Sequence, residues 1–170
     1  DIWSRARDRV EILLDAASTL IMLPILAFVL EWGLRHSLPA VDLWPESAPF
    51  VIKVVLAVLL AEFFFYWTHR MSHEYAILWR FHRVHHEVKR VYWLNSGRFH
   101  PVDASLDLLV YFFPLILIGV DQQVFLVFLT LTFVTGALEH ANVNFRAGFL
   151  NYVFNTAELH RWHHSTTIEI

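Results

Sequence analysis

The stretch APFVIKVVLAVLLAEFFFYWTHRMSH, residues 48–73, runs from an almost unbroken apolar segment straight into a pair of histidines. A helix that crosses a bilayer needs about 20 mostly apolar residues, so residues 48–67 read as a transmembrane span. Continuing the helix past Trp67 places His69 and His73, four residues apart, on one face just beyond the span. Glu62 lies inside the span and shares a helical stripe with Tyr66, His69 and His73. An ionisable residue at that depth is costly and marks a functional role by default. A carboxylate that snorkels or pairs with a neighbouring helix fits the same pattern.

The rest of the chain extends this reading. Of 170 residues, 56% are hydrophobic and 17% charged, against about 25% charged in soluble domains. Three more apolar stretches occupy residues 12–30, 104–120 and 122–138, the last two joined by a turn around Gly119 and Asp121. Pro24 and Pro114 lie inside spans, where neighbouring helices satisfy the freed carbonyls. The expected fold is all-α and membrane-bound: four transmembrane helices capped by a cytoplasmic histidine-rich helical domain, with 1–170 a single domain. No signal-peptide pattern precedes the first span. The chain opens on Asp1 and ends six residues after its last histidine, which suggests a trimmed sequence.

Charge sets the orientation. Of 13 Lys and Arg, only Arg35 and Lys53 fall in or beside the loop between the first two spans. The others lie before the first span, between the second and third, or after the fourth, on the side that the positive-inside rule makes cytoplasmic. Trp3, Trp32, Trp44 and Trp67 fall near span ends, as interfacial aromatics do. Of 11 histidines, only His36 lies on the far side. Scattered histidines have no reason to partition in this way, so one shared site is expected.

The histidines also repeat in spacing. His82, His85 and His86 in FHRVHHEVKR (81–90) form an HxxHH box, and His160, His163 and His164 in HRWHH repeat it. With His69, His73 and His140 these exceed what one metal ion takes, and fit two. The chain has no cysteine, so thiolate sites are excluded and any metal is held by nitrogen and oxygen. Imidazole suits zinc, copper, iron and nickel alike. A pH sensor needs only one or two such residues. A nucleic-acid surface needs a lysine-rich face, whereas Glu74 and Glu87 interrupt the basic residues here, so no nucleic-acid partner is expected.

HRMSH, WRFHRVHH and NTAELHRWHHS resemble the histidine boxes of the fatty acid hydroxylase and sterol desaturase superfamily of integral-membrane di-iron oxygenases. The resemblance runs from about Glu62 to Ser165. It implies His69, His73, His82, His85, His86, His160, His163 and His164 as metal ligands. EHANVN (139–144) resembles the family's intermediate box and adds His140, with Asn144 where some relatives have a further histidine. NSGRFHP (95–101) is also family-like, and suggests a supporting role for His100. Family chains usually continue past the third box into a further cytoplasmic segment.

The resemblance further implies two iron ions, replaceable by zinc in purified protein, with oxygen as cosubstrate. The activity implied is hydroxylation of an unactivated C–H bond in a membrane lipid, with desaturation as the nearest variant. The location implied is a bacterial inner membrane or the endoplasmic reticulum. Electrons would come from a separate ferredoxin, or a cytochrome b5 with its reductase, since no flavin, dinucleotide or haem pattern is present. A histidine-rich metal transporter is the rival from another class; its sites would lie nearer the bilayer midplane. A catalytically silent metal-binding scaffold is a second rival.

Ligating histidines usually donate their second ring N–H to a carboxylate or carbonyl, and Glu62, Glu74, Glu87, Glu139 and Glu158 are candidates. Phe63, Phe64, Phe65, Phe112 and Phe113 either line a lipid path or simply pack. Arg80, Arg83, Lys89, Arg90 and Arg98 either meet headgroups or an electron donor, or only express the positive-inside bias.

Overall fold

A computed structural model describes residues 6–37, 41, 43–88 and 91–165. Trp3, Arg5, Lys89 and Arg90 lie outside the described residues. The described chain is helical, without strands: α1 (Ala6–Ala17), a π-helical turn (Ser18–Met22), α2 (Leu23–Ser37), α3 (Phe50–Glu74), α4 (Ala76–His86), α5 (Pro101–Leu117), α6 (Gln122–Glu139) and α7 (Ala157–His163). Short 3₁₀ turns cover Trp93–Gly97 and Gly148–Tyr152.

Two helices, α3 and α6, are long and apolar enough to cross a bilayer. The expected fourth span, 122–138, coincides with α6, and the expected third falls on α5, which has 17 residues. The first, 12–30, is not one uninterrupted α-helix. Pro24 has no N–H to offer the Leu20 carbonyl and its ring crowds it, and the helix widens into the π turn just upstream.

Local chemistry sets the other ends. Pro101 occupies the first position of α5, where its missing N–H costs nothing, and His100 Nδ1 accepts from the Val102 N–H. Beyond Leu117 the chain reverses at Gly119, whose φ of 82° lies in the left-handed region. The Val120 N–H bonds to the Leu115 carbonyl and the Gly119 N–H to the Ile116 carbonyl, the paired closure of a glycine-terminated helix. Asp121 then caps α6 through the Val124 N–H, and also accepts from Lys53 Nζ at 2.7 Å and Trp44 Nε1 at 3.2 Å. Trp44 is therefore buried and polar-bonded rather than part of a lipid-facing belt, whereas Trp32 and Trp67 are exposed.

The core lies where α2, α3, α5 and α6 meet. Ala57 and Ala61 on α3 let α5 approach closely, and Phe112, Leu115, Phe125 and Phe128 fill the centre. Helix α5 packs on both α2 and α3, and α6 packs on α3. The outer faces stay apolar, with Leu59, Phe63, Leu131 and Val134 exposed. This bundle fixes α3 and α6 so that His69, His73 and His140 emerge at one end.

Candidate metal centre

Four chain segments deliver nine histidines to that end. Helix α3 carries His69 and His73, α4 carries His82, His85 and His86, His140 caps α6, and α7 with its cap carries His160, His163 and His164. Spacings of three and four along each helix stack the rings on one face. The donor nitrogens fall into two groups, each with its atoms within 4.8 Å of one another. One is His69, His73, His82, His86 and His163; the other is His85, His140, His160 and His164. The His86 and His164 rings stack at 4.3 Å where the groups adjoin.

The hydrogen bonds decide which nitrogens point inward. His140 Nδ1 donates to the Gly136 carbonyl at 2.8 Å, and His85 Nδ1 donates to the Arg98 carbonyl at 3.3 Å. A carbonyl can only accept, so in the neutral ring each Nδ1 bears the proton and each Nε2 presents a lone pair. Those two Nε2 atoms face each other at 3.2 Å. His164 Nε2 stands 3.1 Å from His85 Nε2 and 3.0 Å from His160 Nε2, which is 3.0 Å from His140 Nε2. Opposed lone pairs at that range repel unless a cation lies among them. Nitrogens bound at about 2.0–2.1 Å to one ion stand about 3.0–3.4 Å apart, so this donor set fits a metal.

Several of the rings are also biased toward the neutral form that a metal ligand requires. Burial lowers the His140 pKa to about 4 despite the opposing bond to the Gly136 carbonyl, and lowers the His164 pKa to about 3, where His140 and His163 add to the effect. Burial pushes His85, His86, His160 and His163 in the same direction. In the other group, His82 Nδ1 donates to Asp103 Oδ2 at 2.9 Å, which turns His82 Nε2 toward His86 Nε2 at 3.2 Å. His69 Nε2 and His163 Nε2 are 2.9 Å apart.

The remaining expected residues sit differently. Asn144 is exposed, beside Arg146, Glu158 and Arg161 in a separate small pocket. His100 caps α5 and packs on Phe81. Glu74 pairs with Arg70, Glu87 faces Arg83, and Glu158 ties down Ala147 and Asn151. Glu62 lines the cavity together with Tyr111. Of the five phenylalanines, Phe65 alone lines the cavity that leads to the histidines. Consecutive helical residues point about 100° apart, so Phe63 and Phe64 face outward, while Phe112 joins the core.

Sequence reasoning missed the groups that orient the rings. Asp103 holds His82, and Asn155 stands 2.9 Å from His160 Nδ1. Phe99 stacks flat on His85 at 4.4 Å. Asp107 and Tyr111 in the cavity wall were also missed. Asp107 lies within the expected third span, so the rule that singled out Glu62 would have found it.

The cavity, about 680 Å³, runs between α2 and α6 over a floor of α3 and α5. Leu23, Ala27, Phe125, Leu129 and Phe133 make its walls apolar, and His69, His82, His85, His140 and His160 close one end.

The comparisons agree with this geometry. The sequence is 43% identical over 125 residues to an ornithine lipid hydroxylase, OlsE, of Rhizobium tropici, covering 74% of this chain and 38% of that protein. It is 31% identical over 109 residues to an alkylglycerol monooxygenase of Danio rerio, covering 64% of this chain and 24% of that one. A very-long-chain aldehyde decarbonylase of rice (Oryza sativa) is 37% identical over 71 residues, or 42% of this chain and 25% of that protein. The chain thus spans well under half the length of these relatives. No solved structure matches it significantly. The family profile described as fatty acid hydroxylase matches residues 54–169, which takes in all nine clustered histidines, and the chain belongs to that family.

Proposed function

We propose that the chain is the metal-bearing membrane domain of an oxygen-dependent lipid hydroxylase. His69, His73, His82, His86 and His163 would hold one iron, and His85, His140, His160 and His164 would hold the other. When bound and reduced, the two irons supply the power to oxidise an unactivated C–H bond with molecular oxygen. The net change breaks one C–H bond and forms one C–O bond. Two electrons and two protons carry the second oxygen atom away as water.

The chain's own residues prepare this chemistry. Asp103 and the carbonyls of Arg98 and Gly136 fix three ring tautomers, so that each Nε2 would meet a metal as a lone pair. The apolar cavity takes the lipid and keeps bulk water from the reacting carbon. Relatives named as hydroxylating ornithine lipid and oxygenating alkylglycerol support a lipid as the substrate. Electrons come from a separate ferredoxin or cytochrome b5. We place the histidine cap on the cytoplasmic side of a single four-span domain, with α2 and its preceding turns, α3, α5 and α6 as the spans.

The opposed Nε2 lone pairs of His85 and His140 carry this reading. Anaerobic reconstitution with iron, followed by metal analysis, should give two irons per chain. Lipid mass spectrometry of cells with and without the protein should show a lipid gaining one oxygen atom. A lipid losing two hydrogens instead would make it a desaturase, and an unchanged lipid profile with metal flux into vesicles would make it a transporter.

A further inference from the structure

Helix α6 turns an apolar stripe outward: Leu131, Val134 and Leu138, spaced by three and four, are all exposed. That surface does not stop with the helix. Val143 and Phe145, just past His140, are exposed as well. Phe149 and Tyr152, in the 3₁₀ turn Gly148–Tyr152, are 77% and 92% exposed. With three residues per turn, those two rings share one edge. On α7, Leu159 and Trp162 are exposed while His160 between them is buried among the other histidines.

The turn and α7 form one piece. The Ala147 N–H and the Asn151 side-chain amide both donate to Glu158 Oε2 at 2.9 Å, so the turn spends polar groups inward on α7. Arg161 donates to the Val143 carbonyl, and Phe145 and Arg146 share a small pocket with Arg161 and Trp162. What remains outside is apolar and aromatic, with arginine beside it. Exposed apolar patches rimmed by polar residues mark a protein or membrane contact. Two observations favour the membrane. Val143 lies three residues past His140, a reach of about 10 Å at most, so the patch begins beside the end of α6 and continues its outward stripe. Aromatic rings sit at headgroup level in the bilayer interface, and a guanidinium pairs well with phosphate.

We propose that residues 143–153 and the outer face of α7 lie in the bilayer interface, in the leaflet where α6 ends. This anchor holds His160, His163 and His164 at headgroup level. It rests on α6 being a membrane span, but not on any chemistry at the metals.

The chain has no cysteine, so a single introduced one takes a dye at one place only. Tyr152→Cys on the turn, Trp162→Cys on α7 and Leu131→Cys on α6 replace exposed side chains, which spares the packing. Each full-length variant is labelled with a nitrobenzoxadiazole dye in nanodiscs of phosphatidylcholine and phosphatidylglycerol. Lipids with a nitroxide near the headgroup end of the acyl chain, or near its methyl end, then quench the dye according to its depth. The dye at 152 and 162 should lose more emission to the headgroup-end nitroxide, as fits a segment buried about 5–10 Å into the boundary. The dye at 131 should lose more to the methyl-end nitroxide.

Water-like emission at 152 and 162, untouched by either lipid, would overturn the anchor. Blue-shifted emission that neither lipid quenches would overturn it too, because protein would then cover the patch. Quenching at 131 alone would leave α6 as a span and remove the anchor. Quenching at none of the three would remove both.

Discussion

Asp103 and His100 stand three residues apart and do different things for the same site. Asp103 accepts from His82 Nδ1 with both side chains almost wholly buried, so it fixes a ring and a tautomer. Asp103→Asn preserves the shape but replaces a charge-assisted bond with a neutral one. Losing such an outer partner typically lowers metal affinity by about 10–100-fold. Dialysis against graded chelator should strip iron from the variant at correspondingly lower chelator concentration, with circular dichroism unchanged. Unaltered retention would remove Asp103 from the site. His100 instead caps α5 through the Val102 N–H. His100→Ala should therefore cost about 0.5–2 kcal/mol of stability, as a lost cap does, while the protein keeps its full complement of metal.

At the scale of elements, the α5–α6 hairpin sets where His140 emerges, and Gly119 sets the hairpin. Its φ of 82° suits glycine, and a side chain there costs about 1–2 kcal/mol. Gly119→Ala should cost that much stability, read as a lower melting temperature in detergent, while leaving the metal content unchanged, because the turn lies at the opposite end of α6 from the histidines. This hairpin was legible in the sequence: Gly119 and Asp121 bracket the turn, and the apolar run 122–138 ends where α6 does. The histidine boxes were legible for the same reason, since helical spacing alone stacks their rings. The partners of those rings were not. Asp103 lies 21 residues from His82 and reaches it only because α5 packs beside α4, a tertiary fact that local periodicity does not carry. The π turn before Pro24 was hidden because apolar content reads the same through a widened helix. The aromatic path narrowed to Phe65 because composition counts residues but not the directions in which they point.

In the whole molecule, the two groups of histidines draw on α3, α4, the end of α6 and α7, so metal ions held there would staple four segments together. Removing metal should lower the melting temperature, since an ion that binds only the folded chain stabilises it by mass action. The metal-free protein should also be acid-sensitive, with a definite sign. In the unfolded chain an imidazole takes a proton near its ordinary pKa of about 6.5. In the folded chain burial holds His140 at about 4 and His164 at about 3. Between those values the unfolded state binds more protons, so stability falls as pH falls. The contribution is fully present above the unfolded pKa and is lost progressively as pH drops toward 4 and then 3. Bound metal opposes the same protons, because it needs the neutral rings. Melting curves of the metal-free chain should fall steeply below neutrality, and the iron-loaded chain should resist until the pH at which iron is released. His140→Ala should flatten the acid limb of the metal-free curve. A metal-free protein equally stable on both sides of the histidine range would mean that these rings already charge freely in the fold, and that the cap is more open to water than the packing of its four segments allows.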